Sequence, residues 1–328
     1  MAFMRVLLTG SSGWLGRHLA PLLRATGHDV VGLDVAPGAD TDVVGSVADR
    51  GLIDRVFADH RIDAVIHAGA LHKPDIVRYP AGAFVDVNVT GTLNLLESAV
   101  AAGCDRFVFT SSTSLMITAE IKSGTAPSAA WITESTGPNA PRNIYGITKL
   151  SAEHLCRLHH VEHGLSVVVL RTGRFFPEDD DEERDDGLNR KANEFLHRRL
   201  TATDAAEAHI VALDRAPSLG FQTFIVAAQT PFVPADATEL AADAAAVVAR
   251  YFPRAADIYA KRGWRLPDRI DRVYDASKAQ RLLGFRCRTD FASILDVLDR
   301  GGELPAIHDP SYLSPKESRG SFAARFRP

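Results

Sequence analysis

The feature that most constrains the fold is a glycine pattern directly after an apolar, strand-like run near the start of the chain. Phe3–Thr9 is rich in Val and Leu and is followed at once by Gly10, Gly13 and Gly16. A helix-like segment, Trp14–Ala25, begins within the pattern. Glycines in such a turn let the backbone approach a phosphate, which the amino terminus of the helix attracts. The pattern predicts a dinucleotide-binding βα unit, although a ligand-free glycine turn would look the same.

Further apolar runs alternate with helix-like segments along the chain. The predicted strands are Phe3–Thr9, His28–Leu33, Asp42–Val44, Asp63–Ala68, Arg106–Ser111, Leu165–Leu170 and Thr223–Ala227. The predicted helices are Trp14–Ala25, Arg50–Asp59, Ala81–Ala102, Asn143–His163, Leu200–Asp214, Asp236–Tyr251, Ser277–Leu283 and Phe291–Asp299. Near-continuous apolar strands separated by helices indicate a parallel sheet that is covered on both faces. Right-handed crossovers then give an α/β fold with a doubly wound parallel sheet of the Rossmann type.

The character of the sequence changes after residue 177, which predicts a second lobe. Residues 1–177 form the predicted dinucleotide-binding domain, to which a strand and a helix return near 201–228. Residues 178–301 form a smaller, discontinuous substrate lobe over the carboxyl ends of the strands, where such sheets bind ligands. The acidic run at 178–186 predicts a mobile, solvated loop, and 302–328 a loosely attached tail.

Composition excludes several classes of function. The 328 residues carry a net charge of −4, which argues against nucleic acid as the main partner. No apolar stretch reaches the ~18 residues that a membrane-spanning helix needs, and the first apolar run is typical of a buried strand rather than a signal peptide. The three cysteines lack the spacing of a disulfide framework or a zinc site, so no metal is predicted. We expect a cytoplasmic protein that acts on a small molecule.

Tyr145 and Lys149 form a second informative pattern. They lie four residues apart in YGITK, so both side chains project from one face of a helix. Tyrosine is a poor base at neutral pH because its pKa is about 10, and a nearby positive charge lowers that pKa. The ring of an oxidised nicotinamide would add a second positive charge. The pair therefore predicts a group that removes a proton from an alcohol while hydride leaves for the cofactor.

Six motifs in order resemble those of the extended short-chain dehydrogenase/reductases, and more specifically the NAD-dependent epimerase/dehydratase family. They are the glycine pattern, an acidic end to the second strand, HAGA at 67–70, NVTGT at 88–92, a strand ending in two serines at 111–112, and YxxxK. The similarity covers roughly residues 4–177 and returns at 203–209 and 274–285. It implies a sugar-type substrate, and a homodimer paired through the helices that hold 88–102 and 145–163.

The glycine pattern and the resemblance together predict an NAD site. Asp34 is placed to accept hydrogen bonds from the ribose hydroxyls and would repel a 2′-phosphate, so NAD is favoured over NADP. Ser46 stands where family members usually carry Asp, which predicts the loss of one adenine contact. His72 lies either near the cofactor or on the surface. The predicted cofactor-binding residues are Gly10, Ser12, Gly13, Trp14, Leu15, Gly16, Asp34, Ser46, Val47, Ala68, Gly69, Ala70, His72, Asn88, Ser111, Tyr145, Lys149 and Thr172.

Ser112, Tyr145 and Lys149 form the predicted catalytic set. Tyr145 is the general base and acid, and Ser112 hydrogen-bonds the reacting oxygen. Ser111 would replace Ser112 if the strand ended one residue earlier. The family's dehydratases commonly carry an Asp-Glu pair where residues 113–116 have no carboxylate, so dehydration is disfavoured. The predicted substrate-binding residues are His72, Ser112, Met116, Arg174 and Arg265.

The arginines leave the reaction open between two outcomes. Arg174 stands where many relatives carry Asn, and it could bind a substrate carboxylate or phosphate or pair with the acidic run. Arg265 begins a segment that resembles the diphosphate contact of epimerases. The predicted function is NAD-dependent oxidation of a secondary alcohol of a sugar or nucleotide sugar, with epimerisation favoured. A dehydrogenase of a free sugar, sugar acid or polyol is the first alternative, and a non-catalytic dinucleotide sensor is the second.

Overall fold

A computed structural model describes residues 3–177 and 187–306 of the protein. The predicted acidic loop at 178–186, and the predicted tail from residue 307 onward, lie outside the described residues.

Nine strands form two parallel sheets in the described residues. They are β1 (Arg5–Thr9), β2 (Asp29–Asp34), β3 (Val43–Val44), β4 (Ala64–His67), β5 (Arg106–Ser112), β6 (Ala130–Ile132), β7 (Ser166–Thr172), β8 (Phe221–Val226) and β9 (Arg272–Tyr274). The main sheet has seven strands in the order β3-β2-β1-β4-β5-β7-β8. Since the strand order reverses beside β1, the crevice for a ligand lies at the carboxyl ends of β1 and β4. The predicted α/β fold with a doubly wound parallel sheet is confirmed.

Helices cover both faces of this sheet. The α-helices of the described residues are α1 (Trp14–Ala25), α2 (Arg50–His60), α3 (Ala81–Phe84), α4 (Gly91–Ala101), α5 (Ala119–Ser123), α6 (Ile144–His163), α7 (Gly187–Glu194), α8 (Ala202–Leu219), α9 (Ala237–Ala242), α10 (Ala244–Tyr251), α11 (Ala255–Ala260) and α12 (Phe291–Asp299). Side chains alternate along β1, so Val6 and Leu8 pack with α1 and α8 while Leu7 packs with α2, α4 and α6. None of the helices in the described part of the chain is long and apolar enough to span a membrane.

Helix α6 carries the YxxxK motif to the carboxyl end of β5. Asn143 precedes the helix, and its side chain accepts a hydrogen bond from the Gly146 amide at 2.9 Å. This N-cap fixes the first turn, which contains Tyr145. The helix continues over 20 residues and packs its buried face on β5 and β7. The local sequence therefore determines where the tyrosine lies relative to the strand ends.

The region predicted as the second lobe, together with the segment at 119–132, contains elements that the sequence did not predict. Strands β6 and β9 pair as a separate two-stranded sheet, and α5, α7 and α11 are short helices without a clear apolar period. The predicted helix at 236–251 is divided at Asp243, whose side chain caps α10 by accepting from the Ala246 amide at 3.0 Å. A separate apolar cluster, which includes Phe195, Tyr259 and Phe291, forms the core of this lobe. The predicted boundaries between domains stay a prediction.

Candidate active site

The glycine loop after β1 is packed too closely for larger residues. Gly10 has a φ of +74°, and a Cβ added there would lie 2.7 Å from the amide nitrogen of Gly69. A Cβ on Gly16 would lie 2.1 Å from the carbonyl oxygen of Gly10. Gly13 is the N-cap residue of α1 and offers no side-chain cap to the first amides. The loop therefore suits a pyrophosphate at the amino terminus of α1.

Asp34 ends β2 beside this loop, and both line a cavity at the carboxyl ends of the strands. Its carboxylate accepts hydrogen bonds from the backbone amides of Ser12 at 3.1 Å and Ala36 at 3.0 Å. Each carboxylate oxygen can accept a second hydrogen bond, which leaves capacity for the ribose hydroxyls of a dinucleotide. Ser12 lies behind the cavity wall, where its hydroxyl donates to the carbonyl of Ala36 at 2.8 Å. The residues present at this edge fit NAD.

A cavity of about 250 Å³ brings most of the predicted site residues together. The predicted residues that line it are Gly10, Gly13, Trp14, Leu15, Asp34, Ser46, Val47, Ala68, Gly69, Ala70, His72, Ser111, Ser112, Tyr145, Lys149, Thr172 and Arg174. Gly16 and Asn88 support the cavity from behind. Asn88 holds the backbone of Leu71 through both its amide and its carbonyl, and it donates to the hydroxyl of Thr148 on α6 at 3.0 Å. The individual roles of these residues stay predictions.

The predicted catalytic residues converge where β5 ends and α6 begins. Ser112 and Tyr145 both line the cavity, and the Ser112 hydroxyl favours the ionised form of the phenol by lowering its pKa. The amide of Ser114 donates to the Ser112 oxygen at 3.1 Å and so fixes the hydroxyl. The ammonium of Lys149 donates to the carbonyl of Thr110 at 2.8 Å and lies 4.6 Å from the ring centre of Phe109. One strand end and one helix face therefore hold all three groups.

Burial determines the protonation state of Tyr145. It raises the pKa of Tyr145 to about 12, the nearby Ser112 hydroxyl opposes this shift, and the charge of Asp75 adds to it. The lowering of the Tyr145 pKa by Lys149 stays a prediction. At neutral pH the side chain is a phenol, and it acts as a base only when further positive charge enters the cavity.

Ser111 does not take the place of Ser112. Strand β5 extends to Ser112, so the condition under which Ser111 would replace it is not met. The hydroxyl of Ser111 instead donates to the carboxylate of Glu153 at 2.6 Å, and Ser111 is buried. Ser112 remains the serine whose side chain meets Tyr145.

Three arginines of the second lobe and the β7 end surround a buried carboxylate. Arg174 donates to Glu194 at 3.0 Å, and Arg198 and Arg199 each donate to it at 2.7 Å. Burial alone would raise the pKa of Glu194, but Arg198, Arg174 and Arg199 hold it well below the usual range. Arg174, Arg198 and Arg272 line the cavity. The predicted alternative partner of Arg174, the acidic run, lies outside the described residues.

Two predicted substrate residues lie elsewhere. Met116 is buried and its sulfur lies 3.6 Å from a guanidinium nitrogen of Arg171, so it forms no part of the cavity wall. The side chain of Arg265 is exposed and does not line the cavity, while its backbone holds Asn189 and Asn193. Both assignments came from alignment with relatives, and neither position reaches the cavity in this fold.

Several cavity residues were missed by the sequence analysis. Phe176 stacks on the ring of His72 with 5.0 Å between ring centres, which places that histidine in the cavity wall rather than on the surface. Phe175 stacks on Phe176 in turn. Arg272 and Tyr274 belong to β9, a strand that was not predicted. Only the FFP sequence after Arg174 gave a usable signal, because bulky aromatic residues at a strand end commonly line a ligand site.

A sequence profile of the NAD dependent epimerase/dehydratase family matches residues 6–220. The chain belongs to this family. It is 35% identical over 176 residues to a UDP-glucose 4-epimerase of Azospirillum brasilense, and the match covers 51% of this chain and 48% of that protein. The chain thus spans about half the length of that relative. The predicted family, the NAD cofactor and the expectation of an enzyme are confirmed.

One further relative supports the assignment to this family, and a solved structure shows the same fold. The chain is 32% identical over 187 residues to an L-arabinose 1-dehydrogenase (NAD(P)(+)) of Haloferax volcanii, which covers 56% of this chain and 71% of that protein. A short-chain dehydrogenase/reductase superfamily protein from Agrobacterium tumefaciens, solved with bound NAD, has a TM-score of 0.65 at 23% identity. That match covers 98% of this chain and 99% of the other, so the likeness of fold includes the second lobe.

Proposed function

We propose that this protein is an NAD-dependent dehydrogenase that oxidises a secondary alcohol of a sugar acid or another sugar-type substrate with a compact anionic group. The observation that carries the proposal is that Arg174, Arg198 and Arg272 line the same cavity as Ser112 and Tyr145. Arg198 and Arg199 both contact Glu194, and their two positive charges exceed its single negative charge. This end of the cavity therefore attracts an anion. Arg265, which the sequence predicts to contact a nucleotide diphosphate, does not line the cavity.

The arrangement of strands brings the anion and the alcohol within the length of one sugar. Ser112 and Thr172 are register partners on β5 and β7, and neighbouring strands lie about 4.8 Å apart. Arg174 follows Thr172 by two residues and lines the same cavity as Ser112. A planar guanidinium binds a carboxylate through two parallel hydrogen bonds and so fixes its orientation. A carboxylate at Arg174 would orient the sugar hydroxyl toward Ser112.

The chain's own residues can carry out the proton transfer. NAD, when bound, supplies the hydride acceptor. With substrate bound, the Ser112 hydroxyl, which accepts from the amide of Ser114, would donate to the substrate oxygen. Tyr145, with its pKa lowered by the incoming positive charge and by Lys149, would remove the hydroxyl proton. Hydrogen bonding from Ser112 and Tyr145 then stabilises the oxygen as it becomes a carbonyl.

A nucleotide-sugar epimerase is the second candidate. It is favoured by the similarity to the UDP-glucose 4-epimerase of Azospirillum brasilense, which includes the region of the catalytic motifs. In that reaction the same Tyr145 would return the proton, and the ketone would be reduced again before release. The same arginines would then bind phosphate oxygens in place of a carboxylate.

Turnover of a substrate panel separates the two candidates. Purified protein is incubated with NAD and with neutral aldoses, uronic acids, sugar phosphates or UDP-sugars, and NADH and isomers are measured. We expect stoichiometric NADH with an acidic sugar, and little with its neutral counterpart. Interconversion of UDP-sugars without net NADH would establish the epimerase instead. Binding of NAD without turnover of any sugar would contradict both.

Two variants test the assigned roles. Tyr145→Phe should lower kcat by about 10²- to 10⁴-fold, the range of general acid–base catalysis, while NAD affinity changes little. Arg174→Met should raise KM for the acidic sugar by about tenfold or more, because a charge-assisted hydrogen bond contributes roughly 1.5–3 kcal/mol. The neutral analogue serves as the control, since its KM should be nearly the same in Arg174→Met and wild type. Equal losses for both substrates would show that Arg174 does not bind the anion.

A further inference from the structure

A buried ion pair lies directly behind the catalytic residues but lines no part of the cavity. Glu153 is on α6, eight residues after Tyr145 and four after Lys149, so all three lie along one helix face. Its carboxylate binds Arg171 of β7 through two hydrogen bonds of 3.0 and 2.7 Å. Both side chains are nearly fully buried. The hydroxyl of Ser111 donates to the same carboxylate at 2.6 Å.

These contacts join β5, β7 and α6 next to Ser112 and Lys149. Ser111 and Arg171 are register partners on β5 and β7, and the next pair is Ser112 with Thr172. The hydroxyl of Thr172 donates to the carbonyl of Ser111 at 3.1 Å. Glu153 is therefore hydrogen-bonded to Ser111, the residue directly before Ser112. Lys149 donates a hydrogen bond to the carbonyl of Thr110, the residue before Ser111.

The guanidinium of Arg171 also reaches beyond the sheet. It donates to the carbonyl of Glu134, in the segment between β6 and α6, at 3.4 Å. The carboxylate of Glu134 in turn accepts from the amide of Ile225 on β8 at 2.7 Å. The network therefore connects the catalytic helix to the ends of β5 and β7 and, through Glu134, to β8.

From this geometry we infer that Glu153 and Arg171 are positioning residues that set the alignment of Ser112 with Tyr145 for hydride transfer. The inference rests on the proposed function, because that alignment matters only if the two residues act on one alcohol. Burying two charges is costly, and well-packed apolar residues of similar size often stabilise a fold equally well or better. An ion pair offers directional hydrogen bonds that apolar packing lacks, and these fix Ser111 relative to α6.

Two changes remove the positioning contacts while keeping the fold. Ser111→Ala deletes only the hydrogen bond to Glu153 and leaves the ion pair intact. The double variant Glu153→Met/Arg171→Met replaces both charges with apolar side chains of similar length, so no buried charge is left without its partner. Val167→Ala is the matched control, because Val167 is fully buried on β7 but lies near the strand's amino end, four residues before Arg171. Thermal unfolding shows whether each protein is folded.

The first measurement needs no substrate. With ring-labelled ¹³C-tyrosine, the signal of Tyr145 is assigned by its disappearance in Tyr145→Phe, and its chemical shift reports the surroundings of the phenol, which include Ser112. We expect this signal to move in Ser111→Ala and in the double variant, with and without NAD, but not in Val167→Ala. An unchanged signal in both test variants would overturn the inference even if no substrate is turned over.

The second measurement uses the substrate found in the panel. Misplacement of a reacting group by about 1 Å can cost about 100-fold in rate, so we expect kcat to fall by about tenfold or more while KM changes by less than about twofold. Val167→Ala should retain the wild-type kcat. Wild-type kcat in both test variants would overturn the positioning role while leaving the proposed function intact. Absence of turnover by wild type would count against the proposed function alone.

Discussion

The residues beside the catalytic set are buried in forms without charge. Tyr145 remains a phenol because burial raises its pKa to about 12, and His67 remains neutral because burial and the charge of Lys149 hold its pKa well below the usual range. His209 is fully buried under Thr110, whose hydroxyl lies 2.8 Å from its Nε2 atom. The charge of Lys149 thus helps to keep His67 neutral, and burial is the larger cause.

The pKa of His209 makes stability depend on pH. Burial lowers this pKa to about 4, against 6.5 for an exposed imidazole, so the folded state binds the proton less readily than the unfolded state. The contribution of His209 to the stability of the folded state is complete above pH 6.5, and it is lost as the pH falls toward 4. We expect the free energy of unfolding to lose about 3 kcal/mol through this residue over that interval. Urea unfolding of wild type and His209→Gln across the pH range measures it.

The difference between the two curves isolates His209. Two other buried histidines, His67 and His197, also have lowered pKa values and contribute to both proteins equally. Wild type should therefore lose more stability than His209→Gln between pH 6.5 and 4. Parallel curves would mean that His209 is not held neutral by the fold.

At the level of elements, the turn between β1 and α1 depends on the absence of side chains. A Cβ on Gly16 meets backbone atoms of Gly10 and Ser11, which cannot move without separating the helix from the loop. We expect Gly16→Ala to cost about 1–3 kcal/mol in unfolding free energy and to weaken NAD binding by about tenfold or more, measured by calorimetry.

Gly82 provides a matched control for this prediction. It is an exposed helical glycine of α3, and a Cβ added there has no atom within 4 Å. Gly82→Ala should therefore leave NAD binding unchanged and stabilise the protein by about 0.5–1 kcal/mol, because alanine loses less backbone entropy on folding. Equal NAD affinity in the two alanine variants would contradict the importance of close packing at Gly16.

The elements also explain what the sequence could predict. Strands β1, β4 and β5 are apolar runs, the glycine motif directly follows β1, and YxxxK has the spacing of one helix face, so the cofactor edge and the catalytic set follow from local patterns. Strands β6 and β9 have three residues each and exist only because they pair with each other across more than a hundred residues. No local pattern reveals such a pair. The substrate end of the cavity, which includes Arg272 of β9, was missed for this reason.

At the scale of the whole molecule, buried cations connect the second lobe to the end of β7. Arg199 donates to the carbonyl of Phe176 at 2.6 Å, and Lys191 donates to the carbonyl of Pro177. From the other side, the indole of Trp14 on α1 donates to the carbonyl of Phe175 at 3.2 Å. Three successive carbonyls are thus held from both lobes, so the aromatic wall of the cavity has a fixed position when a ligand enters.

The surface of α6 carries the last prediction, which concerns assembly. Ile147, Leu158 and Val161 lie on one helix face and are 48%, 45% and 71% exposed. Apolar side chains aligned in this way on a helix surface usually mark a contact with another protein, and the family resemblance implies a second copy of the chain. We expect the double variant Leu158→Asp/Val161→Asp to raise the dimer dissociation constant about a hundredfold or more, since each side chain contributes roughly 1.5–3 kcal/mol when buried.

Light scattering after size-exclusion chromatography over a range of concentrations measures this change. Leu282→Asp is the control, because Leu282 is 47% exposed but belongs to the segment after β9, away from α6. The control should remain dimeric at concentrations where the double variant is a monomer. Because α6 also carries Tyr145 and Lys149, a dimer formed through this helix would stiffen the element that positions the catalytic pair. Monomeric wild type at all concentrations, or equal dissociation in both variants, would exclude α6 as the interface.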